Sequence, residues 1–210
     1  MSQGNSAATL TSVWTGGRSP YAVNSKKFGM WLFIISDSLT FSAMLMAYTY
    51  VRLSTPNWPT PFHFFPSVIF STVMTFCLLS SSLTMVMGVH AMNHGRRKAA
   101  VGWILATMLG GASFVALHLT EWLNLINNEH VKPFENPWGV PLFGGTFFAL
   151  TGLHMTHVVI GLIYLGIIAF AVSRGKFKAE DVEVSGLYWH FVDLVWMFIF
   201  PLVYLMSAKI

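Results

Sequence analysis

The sequence predicts an all-α fold: an integral membrane bundle of five transmembrane helices, with the N-terminus cytoplasmic and the C-terminus outside. Three observations predict it. The 210 residues are 54% hydrophobic and only 10% charged, whereas soluble domains average about 25% charged residues. The apolar residues gather into five long runs, at about 28–51, 66–92, 99–126, 142–172 and 184–206, each long enough for the ~20 residues that a bilayer crossing needs. The Lys and Arg residues divide unevenly between alternate connections. Nine fall on one side (Arg18, Lys26, Lys27, Arg96, Arg97, Lys98, Arg174, Lys176, Lys178) and three on the other (Arg52, Lys132, Lys209). Basic short loops stay cytoplasmic, which sets the orientation.

Residues 1–25 are rich in Ser, Thr, Gly and Asn and contain no apolar core of a signal peptide, so no cleavable secretory signal is expected and the segment reads as a mobile polar tail. Residues 26–210 then form a single membrane domain. The first run carries Asp37 between Ser36 and Ser38. The second contains the one cysteine, Cys77, among Met74, Phe76 and Leu78; it reads as a small buried apolar residue, with no intrachain disulfide to make. Small residues recur at helical spacing in the third run (Gly102, Ala106, Gly110) and the fourth (Gly145, Ala149, and then Gly161), which suits close approach of membrane helices. The fourth run is long enough to tilt.

The connections at 53–65 and 127–141 hold Pro56, Pro59, Pro61, Pro133, Pro137 and Pro141 and read as stiff turns. Those at 93–98 and 173–183 are short, so consecutive spans should be antiparallel neighbours. The runs are too long and too continuously apolar for strands of a membrane barrel. Aromatic residues fall near both interfaces: Trp31, Trp103 and Trp189 on the basic side, and Tyr48, Tyr50, Trp58, Trp122, Trp138 and Tyr204 on the other. A net charge of +4 could suggest nucleic acid, but the basic residues are dispersed among short loops and form no patch.

Ionisable residues inside the runs are the candidate functional groups, because such groups avoid lipid and mark interior sites. Asp37 lies about nine residues, or ~14 Å, into its span, near the middle of a ~30 Å hydrocarbon core. In the last run His190 and Asp193 are three apart and share a face, as His154 and His157 do in the fourth. His157 should lie level with His190, and His154 level with Asp37 and Asp193. Glu121 stands near the end of the third span, one turn after His118, where it should reach the headgroups at little cost. Each has a bland alternative as a hydrogen-bonded tie between helices, since a desolvated carboxyl tends to keep its proton and act as a donor.

No metal site assembles from these pairs. Di-iron bundles use Glu-x-x-His on two helices, whereas the order here is His-x-x-Glu at 118 and 121, with carboxylates at different depths. There is no phosphate-binding glycine loop, nucleophile elbow or cysteine pair, so no catalytic residue is assigned. The residues alone leave open a complex subunit, a stand-alone proton-coupled transporter and a di-metal oxidase. Against the transporter stand the odd number of spans and the lack of inverted repeats.

The run Tyr188-Trp189-His190-Phe191-Val192-Asp193-Leu194-Val195-Trp196 resembles the final helix of subunit III of haem-copper terminal oxidases. The run from Gly145 to Gly161, with Gly152-Leu153-His154-Met155-Thr156-His157 at its centre, resembles the helix before it. Gly29-Met30-Trp31-Leu32-Phe33-Ile34-Ile35-Ser36-Asp37 is similar to the segment in which that family buries a carboxylate. Glu121 matches an acidic residue of the family's middle helix, and His90 with Gly95-Arg96-Arg97-Lys98 resembles its inner loop. The longer members have seven helices; five resemble the shorter bacterial form.

The resemblance implies a non-redox subunit of a proton-pumping respiratory oxidase that reduces dioxygen to water. It implies haem and copper in partner subunits and none in this chain, packing against subunit I, and a bacterial inner-membrane location. It also implies support of assembly, proton uptake and turnover stability. Asp37, Glu121, His154, His157, His190 and Asp193 would then be proton-handling or structural groups, and His90, Arg96 and Trp103 candidates for binding phospholipid.

Overall fold

In a computed structural model of the chain, residues 25–63, 67–128, 130–132 and 137–209 are described. Five helices cover the five apolar runs: α1 (Ser25–Ser54), α2 (Ile69–Asn93), α3 (Arg97–Asn127), α4 (Pro141–Ser173) and α5 (Ala179–Ile199). The expected tail at 1–25 lies outside the described residues except for Ser25, which opens α1. Two two-residue strands, β1 (Phe62–His63) and β2 (Ala208–Lys209), pair in parallel and tie the α1–α2 connection to the C-terminal segment.

The helices α2, α3, α4 and α5 form a four-membered ring in which each packs on two neighbours, with α2 and α3 in the most extensive contact; α1 lies outside the ring, along the seam between α4 and α5. Small residues let the ring close. A Cβ on Gly110 would stand 2.7 Å from Ser81 Cβ, and one on Gly111 would stand 2.5 Å from the Trp189 ring. Gly161 faces the rings of Tyr188 and Trp189. Gly102, of the same predicted stripe, has nothing near it; only part of that stripe is a helix contact.

Two helix ends at the basic side turn in the same way. Gly95 (φ 72°) and Gly175 (φ 71°) adopt left-handed conformations that suit glycine. The N–H groups of Gly95 and Arg96 then reach the carbonyls of Met92 and Ala91, and those of Gly175 and Lys176 reach Val172 and Ala171. The last helix starts at Ala179, five residues before the predicted 184, because Asp181 accepts the Lys178 backbone N–H at 2.9 Å and caps it.

At its other end the regular helix stops at Ile199 instead of running to 206. Pro201 has no N–H to continue the ladder, and the chain widens into a π turn (Phe200–Tyr204) and then a 3-10 turn (Leu205–Ser207). The carbonyls released there are taken by α1: Arg52 donates to the carbonyl oxygens of Leu202 and Met206. Tyr48 and Trp58 bond Ser207 alongside.

Several aromatic residues expected at the interfaces are core residues. Trp189 and Tyr204 are buried in the ring and Tyr48 under the C-terminal segment. Their polar atoms find protein partners, so they need no water: Trp189 Nε1–H donates to Ser81 Oγ at 3.0 Å. Trp31, Trp103, Trp138 and Tyr50 do stay exposed.

Candidate functional site

The polar side chains of α5 meet α2, whose hydroxyl groups form a ladder against them. The Thr75 hydroxyl accepts Trp196 Nε1–H at 2.9 Å, Ser81 accepts Trp189, and Ser82 bonds His190 Nδ1 at 2.5 Å. A bare polar group would be costly in this setting, so α5 can carry His, Asp and Trp only opposite such partners. Asp193 lies beside Ser82 as well and is buried, with Oδ1 lacking a hydrogen-bond partner among the described residues. His190 also lines a cavity of about 280 Å³ with His90, Asn93, Glu183 and Gly186, at the basic end.

Glu121 is the most firmly held of the acids, contrary to the expectation that it reaches the headgroups. It is buried at 6% exposure. The Ser71 hydroxyl donates to Oε1 at 2.8 Å and the Tyr204 hydroxyl to Oε2 at 3.0 Å. The reason is the face and not the depth: Glu121 continues the stripe Phe114, His118 and Leu125 that α3 turns inward. His118 Nδ1 lies 4.0 Å from Oε2, beyond hydrogen-bond reach.

His118 and His154 are both fully buried, and none of their ring nitrogens has a hydrogen-bond partner among the described residues. Aromatic rings surround them. Phe114 stacks on His118, Trp196 stacks on His154 at 5.0 Å, and Phe114 meets His154 edge-on. Such edge-to-face contacts give an N–H a weak acceptor in a ring face. His118 belongs to this cluster as much as His154 does, and the signal for it was its three-residue spacing from Glu121.

Asp37 meets His157 and not a group at the level of His154: His157 Nε2 stands 3.2 Å from Asp37 Oδ2, an ion-pair distance without a hydrogen bond between the two. His157 Nδ1 is hydrogen-bonded to the Leu153 carbonyl at 2.8 Å, which makes Nδ1 the N–H donor. The pair can therefore hold one further proton, either on Nε2 as an ion pair or on the carboxyl as a neutral one. Phe41 of α1 covers it, with its ring 5.1 Å from that of His157.

The predicted residues thus fall into three groups: Asp37 with His157, His190 with Asp193 and Ser82, and Glu121 with His118 near His154. The lipid candidates are not gathered. His90 lies against His94 with the rings tilted, 4.2 Å apart, and lines the basic-end cavity, whereas Arg96 and Trp103 do not line it. Among the described residues no three His, Cys, Asp or Glu side chains come together at metal-ligand spacing.

Residues 8–208 match the family model for cytochrome c oxidase subunit III. Among characterised relatives, the quinol oxidase subunit 3 of Bacillus spizizenii is 35% identical over 85% of this chain and 86% of its own length. The cytochrome c oxidase subunit 3 of Alkalihalophilus pseudofirmus is 31% identical over 88% of each chain. The cytochrome c oxidase subunit 3 of Cyprinus carpio is 32% identical over 90% of this chain but only 72% of its own length. The extra length of the fish protein accords with the longer and shorter forms expected from the sequence.

Proposed function

The chain belongs to the cytochrome c oxidase subunit III family, and from that premise we propose that it is a non-redox subunit of a proton-pumping haem-copper oxidase in a bacterial inner membrane. It is a subunit of a respiratory terminal oxidase, and its described residues include five helices able to cross a membrane. In the proposed role it packs beside subunit I, which carries the haem and copper chemistry with its other partners, and it supports assembly, proton uptake and the stability of turnover. The N-terminus is cytoplasmic and the C-terminus outside in this reading, which the excess of Lys and Arg in alternate connections supports.

The single observation that carries the finer role is the Asp37–His157 pair. It sits in mid-membrane on the two helices α1 and α4, at 13% exposure on each side chain, and has room for one exchangeable proton. A pair so placed can tie α1 to the ring and can also buffer a proton near an uptake path in a neighbouring subunit. Similarity does not choose the electron donor, because relatives named for quinol and for cytochrome c match about equally well.

Purification of the tagged chain in mild detergent tests the reading. Haem copurifying with a larger partner is the expected result. A colourless, solitary protein would overturn it and favour a stand-alone proton-coupled transporter. Reporters fused in the loop at 93–98 and after Arg174 should report cytoplasm, and one at the C-terminus the outside.

A further inference from the structure

Two histidines outside the three interior groups stand together at the basic end of the bundle. His90 lies in the last turn of α2 and His94 caps that helix. Side chains four residues apart share a helix face, and here the two ring centres are 4.2 Å apart with the rings tilted by 37°. Both residues are exposed. Neither is used by the Asp37, Asp193 or Glu121 groups.

The local chemistry prepares the pair as electron donors. His94 Nδ1 is hydrogen-bonded to the His90 carbonyl at 2.9 Å. A carbonyl can only accept, so Nδ1 carries the proton and the neutral ring presents the lone pair of Nε2. A histidine that ligates a metal is commonly held in this way, with its other N–H on a carbonyl or carboxylate. Two imidazoles that bind one ion at ~2.0–2.1 Å hold their ring centres about 4.5–5 Å apart, so the observed spacing is within a small rotation of a shared ion. The setting favours a cation as well. The C-terminal end of a helix carries the negative end of its dipole, and Glu183 lines the adjoining cavity beside His90. Arg96, Arg97 and Lys98 follow in the chain, but all three are exposed, where water and salt screen their repulsion.

We propose that His90 and His94 form a binding site for a divalent transition-metal cation of the Zn2+ class, with one nitrogen from each ring and water in the remaining positions. Imidazole suits Zn2+, Cu2+ and Ni2+, whereas Mg2+ and Ca2+ are hard cations that take oxygen ligands. Two histidines one helical turn apart are also the element by which helical zinc sites place two ligands on one face. With only two protein ligands at an exposed helix end the metal exchanges freely, and the site senses the metal level on the basic side of the membrane instead of holding the fold together. It does not depend on the oxidase reading.

The test is chemical footprinting on the purified, tagged complex. After loosely held metal has been removed with a chelator, the complex is treated with diethyl pyrocarbonate alone, with micromolar Zn2+, or with Mg2+, and modified histidines are mapped by mass spectrometry. Zn2+ should suppress modification of His90 and His94, because a ligated nitrogen has no lone pair to acylate. It should leave His130, which is exposed in the connection after α3, modified as before, and Mg2+ should protect none of them. In a Zn2+ titration, His90→Ala and His94→Ala should each bind one equivalent fewer than wild type, with unchanged haem recovery, since both side chains lie outside the core. Equal modification of His90 and His94 with and without Zn2+, equal protection of His130, or the full number of equivalents in both variants overturns the proposal. If the tagged chain is isolated without haem or partners, the oxidase reading fails, and the same footprint on the solitary chain still decides the metal site.

Discussion

Helices α1 and α3 both carry an acid within the membrane, yet one is pinned and the other packed. In α1 the buried residues Ile34, Phe41 and Tyr48 are seven apart and form one narrow stripe, so most of its circumference faces lipid or a partner. Its attachments are separate polar points: Lys26 to Asp181 and Lys27 to Glu183 at one end, Asp37 to His157 in the middle, and Tyr48 and Arg52 to the C-terminal turn at the other. In α3 the inward stripe is continuous from Ala100 to Leu125, and Glu121 is hydrogen-bonded from two other parts of the ring. Distance from the helix end therefore says less about burial than the face a residue occupies. Asp37, nearer mid-membrane, is the less buried of the two.

The largest expected effect tests packing. A Cβ on Gly111 would stand 2.5 Å and 2.8 Å from Trp189 ring atoms and 3.0 Å from Leu162 Cδ2, and Trp189 is held by its bond to Ser81. Gly111→Leu should abolish recovery of the complex, since overpacking a core costs ~1–3 kcal/mol or more. Gly29→Leu on α1, where nothing lies within 4 Å, should leave it near wild type. Equal yields of the two, measured by haem recovered with the tagged chain, would break the contrast. Gly161→Leu should fall between, because its Cβ would meet the Tyr188 and Trp189 rings at 3.1 Å.

The next effect concerns Glu121. Tyr204→Phe and Ser71→Ala each remove one hydrogen bond to a buried carboxyl, at a cost of ~1–3 kcal/mol. Both should lower the melting temperature of the complex, and the double variant should lose other than the sum, because the two hydroxyls share one acceptor group. A melting temperature unchanged in all three would mean that Glu121 is solvated after all.

The five spans were legible because length and apolar composition suffice to define a bilayer crossing, and the carbonyls of a membrane helix must be satisfied within it. The early start of α5 was missed, although Glu180 and Asp181 after Lys178 are acidic first-turn residues that signal a helix start. The end of α5 was not read from Pro201, although a proline in an apolar run is a plain break signal. The parallel pairing of Phe62 with Ala208 left no signal, as two residues carry no periodicity. In the sites, His190 and Asp193, three apart, do share Ser82, whereas His154 and His157, also three apart, meet different neighbours, His157 at Asp37 and His154 among Phe114 and Trp196. Partners on other helices were beyond reach: nothing in the order of residues says that Ser82 faces His190, or that Asp37 faces His157 instead of a group level with His154. The placement of Glu121 failed because depth was read and face was not.

Asp37 offers a smaller effect on assembly and a larger one on turnover. Asp37→Asn keeps the shape and a donor, so the complex should assemble with normal haem content. The amide cannot exchange a proton with His157, so oxygen consumption should fall or the active lifetime shorten. His157→Gln should behave alike, and the double variant should be no worse than either single one. Unchanged turnover and lifetime in a fully assembled Asn variant would leave Asp37 a helix tie only.

The smallest effect should come from the ion pairs at the basic end of α1. Lys26 and Lys27 contact Asp181 and Glu183 at 2.6 Å each, but Lys26 is 65% exposed and both members of the second pair are about 40% exposed. Pairs open to water gain little over their hydrated ions. Their geometry nevertheless joins α1 to α5 where no apolar stripe does, so any contribution should show as a change in α1 attachment and not in the ring. The double variant Lys26→Ala, Lys27→Ala should leave haem recovery and melting temperature unchanged and should speed proteolytic cleavage of the chain just before α1. Raising salt to about 1 M, where the screening length is ~3 Å, should bring wild type to the same cleavage rate. A marked loss of complex in the double variant at low salt would show that α1 is held from its end, and that the mid-membrane pair of Asp37 and His157 is not what keeps it on the bundle.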